Sequence, residues 1–272
     1  MTVIACIQMA SGPNVGANLL EAERLIAQAV GRGAKLVILP ENFALVGMSE
    51  LDKVAACEPP GNGPMQAFLS MQAAQHGIWI VGGTIPLAAR SVGKVRAACL
   101  VFDDQGRQAA RYDKIHLFDV RLLDTNEQYT ESQTIEPDNK VVVVDTPFGR
   151  MGLAVCYDLR FPELFRQQLE QGMEFLALPA SFTAITGRAH WEILVRARAI
   201  ENLCYVAAAA QGGYHLNGRE THGHSMIVDP WGTVLDSLAR GPGVVCANID
   251  MERLASARRN FPSIRHRRLG CR

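Results

Sequence analysis

Apolar positions along the chain alternate between short β-rich runs and stretches in which one helical face is apolar. A strand over residues 3–9 comes first. The next segment puts Leu19, Ala22, Leu25, Ile26, Ala29 and Val30 on one helical face before Gly31 and Gly33 stop it. A strand over 35–39 runs into Pro40 and Glu41, a helix covers 64–76, and a third strand, 78–81, ends at Gly82 and Gly83. The same order returns downstream: strand 152–155, helix 162–171 with Gly172 as its stop, strand 174–178, helix 188–202, strand 204–210.

The echo is partly literal, since AKLVILPENF and MEFLALPASF each follow a helix ended by glycine and each close a strand with Leu-Pro. A duplication of this kind predicts two similar sheets packed face to face with helices outside, an α/β protein built as a four-layer α-β-β-α sandwich. Further strands are expected over 97–102 and 141–145, and a polar stretch of little periodicity, 119–140, lies between them. Its length marks it as a lid or site wall. With 48% hydrophobic residues and no low-complexity linker, the chain reads as a single domain over 1–272 with one large core.

Charge and cysteine content narrow the partners. Lys plus Arg and Asp plus Glu both count 27, so no field draws the surface as a whole to a polyanion, and nucleic acid is not an expected partner. The basic group Arg265, His266, Arg267 and Arg268 reads as a solvated tail or a subunit contact. Seven cysteines (Cys6, Cys57, Cys99, Cys156, Cys204, Cys246, Cys271) lie far apart, which indicates neither a disulfide framework nor a zinc site. No basic leader precedes the first apolar segment and no apolar run approaches membrane-spanning length. A cytoplasmic protein that needs no metal or organic cofactor and no membrane is the expectation.

Three polar residues stand where this pattern does not need them. Cys156, in GLAVCYDLRFPEL, falls where an apolar strand stops and a proline-started helix soon begins, a turn that would present a thiol beside backbone N–H groups. A cysteine at a strand end also fits the description of a buried small hydrophobe. A free thiol is mostly protonated at neutral pH, so a nucleophilic one needs a base or a cation nearby. Glu41 follows an apolar strand and Pro40, at the position matching Ala180 in the repeat, and is otherwise an exposed strand-end carboxylate. Lys114, in YDKIHLF, lies among apolar and aromatic residues; it could balance thiolate and carboxylate and hold an oxyanion, or simply pair with Asp113.

Together, LPENF, YDKIHLF and GLAVCYDLRFPE resemble the Glu, Lys and Cys motifs of the nitrilase, or carbon-nitrogen hydrolase, superfamily, in that family's order. The blocks AHWEILVRARAIEN, CYVAAAAQGG and GHSMIVDPWG extend the resemblance over nearly the whole chain. The resemblance implies that Cys156 attacks an amide carbonyl, Glu41 serves as base, and Lys114 and the Tyr157 N–H receive the oxyanion on the way to a thioester. It implies a second glutamate after the lysine, matched by Glu131, with Glu127 and Glu136 as near alternatives. Cys156-Tyr157-Asp158 is similar to the Nit-type amidases rather than to nitrilases, whose motif reads Cys-Trp-Glu.

Within that branch, the C-terminal blocks look most like enzymes that hydrolyse deaminated glutathione. Those acting on α-ketoglutaramate are the alternative, and a glutaminase part feeding ammonia to a synthetase is disfavoured because no P-loop is present. Either amide substrate carries a carboxylate that needs a cation. Arg160 matches a carboxylate-binding arginine of related carbamoylases and could instead pair with Glu163. Phe182 and Thr183 are expected pocket walls. The 119–140 stretch and the 212–223 loop have room to contact the far end of a longer substrate. The resemblance also implies a homodimer or larger homo-oligomer.

Overall fold

A computed structural model describes residues 1–122 and 127–270. Its centre is a pair of matching parallel trios. In the first sheet Thr2–Gln8, Leu36–Ile38 and Trp79–Val81 pair side by side in parallel. In the second, Gly149–Leu153, Phe175–Ala180 and Tyr205–Ala210 do the same.

The flanks match too. Each trio carries an antiparallel strand on its first edge, Gly243–Ile249 against Thr2–Gln8 and Val143–Thr146 against Gly149–Leu153. Each continues from its third strand into an antiparallel pair, Val95–Phe102 with Ile85–Ala88 and Ser225–Val228 with Val234–Leu238. Gln108–Asp113 adds a further strand to the first sheet. The duplication read from Leu-Pro and glycine punctuation is therefore a correspondence of six strands in each sheet, with Gln108–Asp113 as the one addition.

Period-two alternation sorts the first sheet's side chains between two cores. Ile4, Cys6, Leu36, Ile38 and Val81 face the second sheet. Ala5, Ile7, Val37, Leu39 and Ile80 face the helices Val15–Gly31 and Pro64–His76, which supply Leu25, Ile26, Phe68 and Leu69. Pro162–Glu170 and Ala184–Asn202 cover the second sheet with Phe165, Trp191 and Val195. The layers run helix, sheet, sheet, helix.

A buried polar clasp joins the sheets at one end. Gln211, fully buried, donates to Ser11 Oγ at 2.9 Å and to the Glu41 carbonyl at 3.1 Å, and accepts from Ser11 N–H at 3.0 Å. Gln8 accepts from the Ser225 N–H at 2.9 Å and donates to the Gly241 carbonyl at 2.9 Å. Every one of these contacts joins segments far apart in sequence.

Two expected boundaries near the site move. The strand before Cys156 ends at Leu153, and a short helical turn, Cys156–Arg160, follows. The last long helix begins at Ala184 rather than Arg188, because the Thr183 side chain caps it by accepting from the Thr186 N–H at 3.3 Å. Gly187 does not break that helix; its missing side chain makes room for His222, whose Cβ would lie 2.2 Å from an added methyl. The 119–140 stretch holds a ribbon, Asp119–Arg121 with Gln128–Thr130, and a helical turn, Glu131–Gln133. Six cysteines are free thiols, and Cys271 lies outside the described residues. Among the described residues no helix is long and apolar enough to cross a membrane.

Candidate active site

Strand ends deliver the three polar residues to one place. Glu41 follows the strand Leu36–Ile38, Lys114 follows Gln108–Asp113, and Cys156 lies just past Gly149–Leu153. Together they line a cleft of about 560 Å³ that opens to solvent. Cys156 has φ +51°, a left-handed conformation that costs a non-glycine residue energy and turns the chain sharply at the thiol. The thiol is 7% exposed.

The ion pair beneath it is almost dry. Lys114, 2% exposed, donates from Nζ to Glu41 Oε1 at 2.8 Å and to both oxygens of Glu131 at 2.9 Å. Asp113, the alternative partner, bonds Arg111 instead. Of the three candidate second glutamates, Glu131 is the one brought to Lys114, and it also accepts from the Phe118 N–H at 2.7 Å. Glu136 binds Arg96 and the Ser91 N–H, and Glu127 accepts from the Tyr129 hydroxyl at 2.6 Å.

These contacts set the charges. Burial alone would depress the Lys114 ammonium, yet Glu131 and Glu41 outweigh it and hold its pKa well above the ordinary lysine value. Burial would raise Glu131, and Lys114 with Lys53 keeps it below the usual carboxylate range. Burial first, and the Glu41 carboxylate second, push the Cys156 thiol well up, against the opposing pull of Lys114 and the Ser181 N–H. That N–H points at Sγ from 3.5 Å. Burial and the Glu41 carboxylate thus favour the neutral form of the thiol, beside the Lys114 ammonium.

A residue that sequence reasoning missed ties the lysine segment to the nucleophile turn. Fully buried Asp158 accepts from the Val155 N–H at 2.8 Å on one side. On the other it accepts from the Tyr112 hydroxyl at 2.6 Å, the His116 N–H at 3.0 Å and His116 Nδ1 at 2.7 Å. Its position two residues after Cys156 was the only signal, and the partners came from another sheet.

Tyr157, Arg160, Phe182 and Thr183 all line the cleft. Arg160 forms no ion pair with Glu163 among the described residues; its guanidinium lies 5.3 Å from the Phe182 ring centre and 5.7 Å from that of Tyr157, and donates to His190. The Thr183 hydroxyl is engaged with Thr186 at 2.8 Å, so Thr183 shapes the wall rather than offering a free donor. Glu50, Lys53, Tyr129 and Arg219 also reach the cleft and were not legible in the sequence.

The sequence profile of the carbon-nitrogen hydrolase family matches residues 3–259. A deaminated glutathione amidase of Synechocystis sp. is 44% identical over 97% of this chain and 97% of its own. The human protein of that name is 37% identical over 98% of this chain and 83% of its own. Among solved structures, Saccharomyces cerevisiae Nit3, a member of branch 10 of the nitrilase superfamily, superposes with a TM-score of 0.87 at 30% identity, covering 98% of this chain and 97% of that one.

Proposed function

The chain belongs to the carbon-nitrogen hydrolase family and is an amidase, and from that premise we propose that it hydrolyses deaminated glutathione through a thioester on Cys156. The single observation that carries the reading is the convergence of a thiol, a carboxylate and a buried ammonium in one cleft. Two relatives named for that substrate, each matched over 97% or more of this chain, support the choice of amide.

The thiol's proton leaves as the sulfur attacks, and Glu41, whose carboxylate shares the cleft with it, takes it. The carbonyl oxygen becomes an oxyanion that Lys114 and the Tyr157 N–H receive; that N–H lies in the first turn of a helical segment, where backbone donors lack intrahelical partners. Glu41 then delivers the proton to the departing amine of cysteinylglycine, and a water activated by Glu41 cleaves the thioester to release 2-oxoglutarate. Glu131 keeps Lys114 charged and oriented while Glu41 changes protonation state. Arg160, which forms no ion pair among the described residues, receives the α-keto carboxylate.

Side-by-side kcat/KM on deaminated glutathione and α-ketoglutaramate, following 2-oxoglutarate, tests the substrate. Preference for the larger amide is expected; preference for α-ketoglutaramate moves the protein to the alternative reading and leaves the Cys156 chemistry in place. We also read the protein as a single-domain cytoplasmic homo-oligomer. Exposed Ile193 and Ile200 on the helix Ala184–Asn202, with Trp231 and Phe261 stacked edge to face nearby in the chain's C-terminal part, are the apolar surface that supports association. Mass measurement in solution checks it.

A further inference from the structure

We propose that Arg219, with Lys53, forms a second carboxylate subsite that binds the terminal carboxylate of the peptide leaving group at the end of the cleft away from Arg160. The inference rests on the amidase reading above and deepens it, because it names the part of the protein that separates a two-carboxylate amide from a one-carboxylate one.

One wall of the cleft is a run of rings with a guanidinium at each end. Arg160 lies against Tyr157, whose ring centre is 5.1 Å from that of Phe118; Phe118 is 5.2 Å from Tyr129; and the Arg219 guanidinium lies 4.7 Å from the Tyr129 centre. The nucleophile turn presents Cys156 next to Tyr157, between the two cationic ends. Beyond Arg219 the cleft continues into a second hollow of about 380 Å³, which shares Asn42, Glu50, Lys53, Ser181 and Arg219 with the first but not Arg160. That extension has no use for a substrate ending at its scissile amide.

Arg219 is held only loosely by a carboxylate at this end. Lys53 holds Glu50 at 2.7 Å, and the Arg219 contact with the same carboxylate is 3.5 Å, the outer limit of a hydrogen bond. Two cations thus share the exposed Glu50 carboxylate, and the contact of Arg219 with it is the looser one. Arg160 forms no ion pair among the described residues. Deaminated glutathione carries two carboxylates about three residue lengths apart, on the order of 10 Å; α-ketoglutaramate carries one.

Arg219 is also held where it stands. It belongs to the hairpin Gly212–Tyr214 and Glu220–His222, whose tip closes through the His215 N–H donating to the Arg219 carbonyl at 2.9 Å. His215 anchors the hairpin's interior, bonding the Ser11 carbonyl and Thr221 hydroxyl at 2.8 Å each. Asn217 donates to the Gly47 carbonyl at 2.7 Å and accepts from the Arg219 N–H at 3.1 Å, which fixes the tip against the segment bearing Glu50 and Lys53. A flexible surface arginine would have none of these supports.

The test compares deaminated glutathione with its C-terminal glycinamide, which differs only in lacking the terminal charge. The wild-type enzyme should prefer the acid by about tenfold or more in kcat/KM, mainly through KM, as expected for a charge-assisted contact remote from the bond cleaved. Arg219→Gln should lose about that factor on the acid and reduce the acid-over-amide preference to within roughly twofold, with Arg219→Lys recovering part of it. α-Ketoglutaramate turnover in Arg219→Gln should fall by a smaller factor, which separates loss of the contact from loss of the fold. Undiminished acid preference in Arg219→Gln, or none in the wild type, overturns the subsite alone. Absence of wild-type turnover on deaminated glutathione overturns the functional reading and the subsite with it.

Discussion

Residues 39–43 and 178–182 occupy corresponding strand ends in the two halves, Leu-Pro-Glu-Asn-Phe in the first and Leu-Pro-Ala-Ser-Phe in the second. Both segments leave the central strand of a parallel trio. The first ends in a carboxylate that is 3% exposed and held by a buried ammonium; the second puts a fully buried methyl at the matching position and offers the thiol only a backbone N–H. A fold that accepts alanine at one copy does not require glutamate at the other. The ionised group at Glu41 needs Lys114 to be tolerable, since an uncompensated buried charge costs several kcal/mol, and it is explained by chemistry rather than packing.

The largest effect should come from removing the atom that both strand ends face. Cys156→Ala is expected to abolish 2-oxoglutarate release while changing the melting temperature little, because the side chain is small and alanine keeps the same strained backbone. Substantial turnover in that variant would break the comparison at its root. Next come the charged partners: Glu41→Gln and Lys114→Ala should each lose on the order of 100-fold or more in kcat. Lys114→Ala should also lose about 3–5 kcal/mol of stability in denaturant titration, because Glu41 and Glu131 are left buried together without a cation.

The reciprocal change sharpens the contrast. Ala180→Glu puts a carboxylate at the copy that has no facing lysine, and a destabilisation of roughly 2–4 kcal/mol is expected in urea. A neutral result would mean that either strand end can hold a charge. The smallest effect is a matter of pH. Glu131 is held below the ordinary carboxylate range, so its contribution is present above the unfolded value of about 4.3 and is lost as pH falls through the folded one. The stability difference between wild type and Glu131→Gln should therefore be visible at neutral pH and fade below about pH 4. A difference that persists unchanged in acid would assign Glu131 a packing role.

Glu41 and Cys156 were legible because each interrupts a strong local pattern, an apolar strand closed by Leu-Pro or by a turn into a proline-started helix. The central trios were legible as short continuous apolar runs bounded by glycine and proline, the mark of strands buried on both faces. Among Glu127, Glu131 and Glu136, sequence spacing left three candidates, because the choice depends on which one the ribbon turns toward Lys114. Arg219 carried no local signal, and Asp158 only its place two residues after Cys156. Their partners, Tyr129 and Glu50 for the one and Tyr112 and His116 for the other, come from distant segments whose approach no window of sequence reveals. The helix read over 188–202 starts at Ala184 because of the Thr183 cap, and the room Gly187 makes for His222, thirty-five residues on, has no local sign.

The pairing of Gly243–Ile249 with Thr2–Gln8 has a consequence for how the protein comes into being. A ribosome delivers the first trio early, but the strand that completes its outer edge is among the last segments to emerge. Until then the nascent chain holds an unpaired, apolar strand at residues 2–8, and such an edge is a template for wrong partners. Assembly of the first sheet must wait for the second half of the chain, and contacts of such long sequence separation place the protein among slow folders.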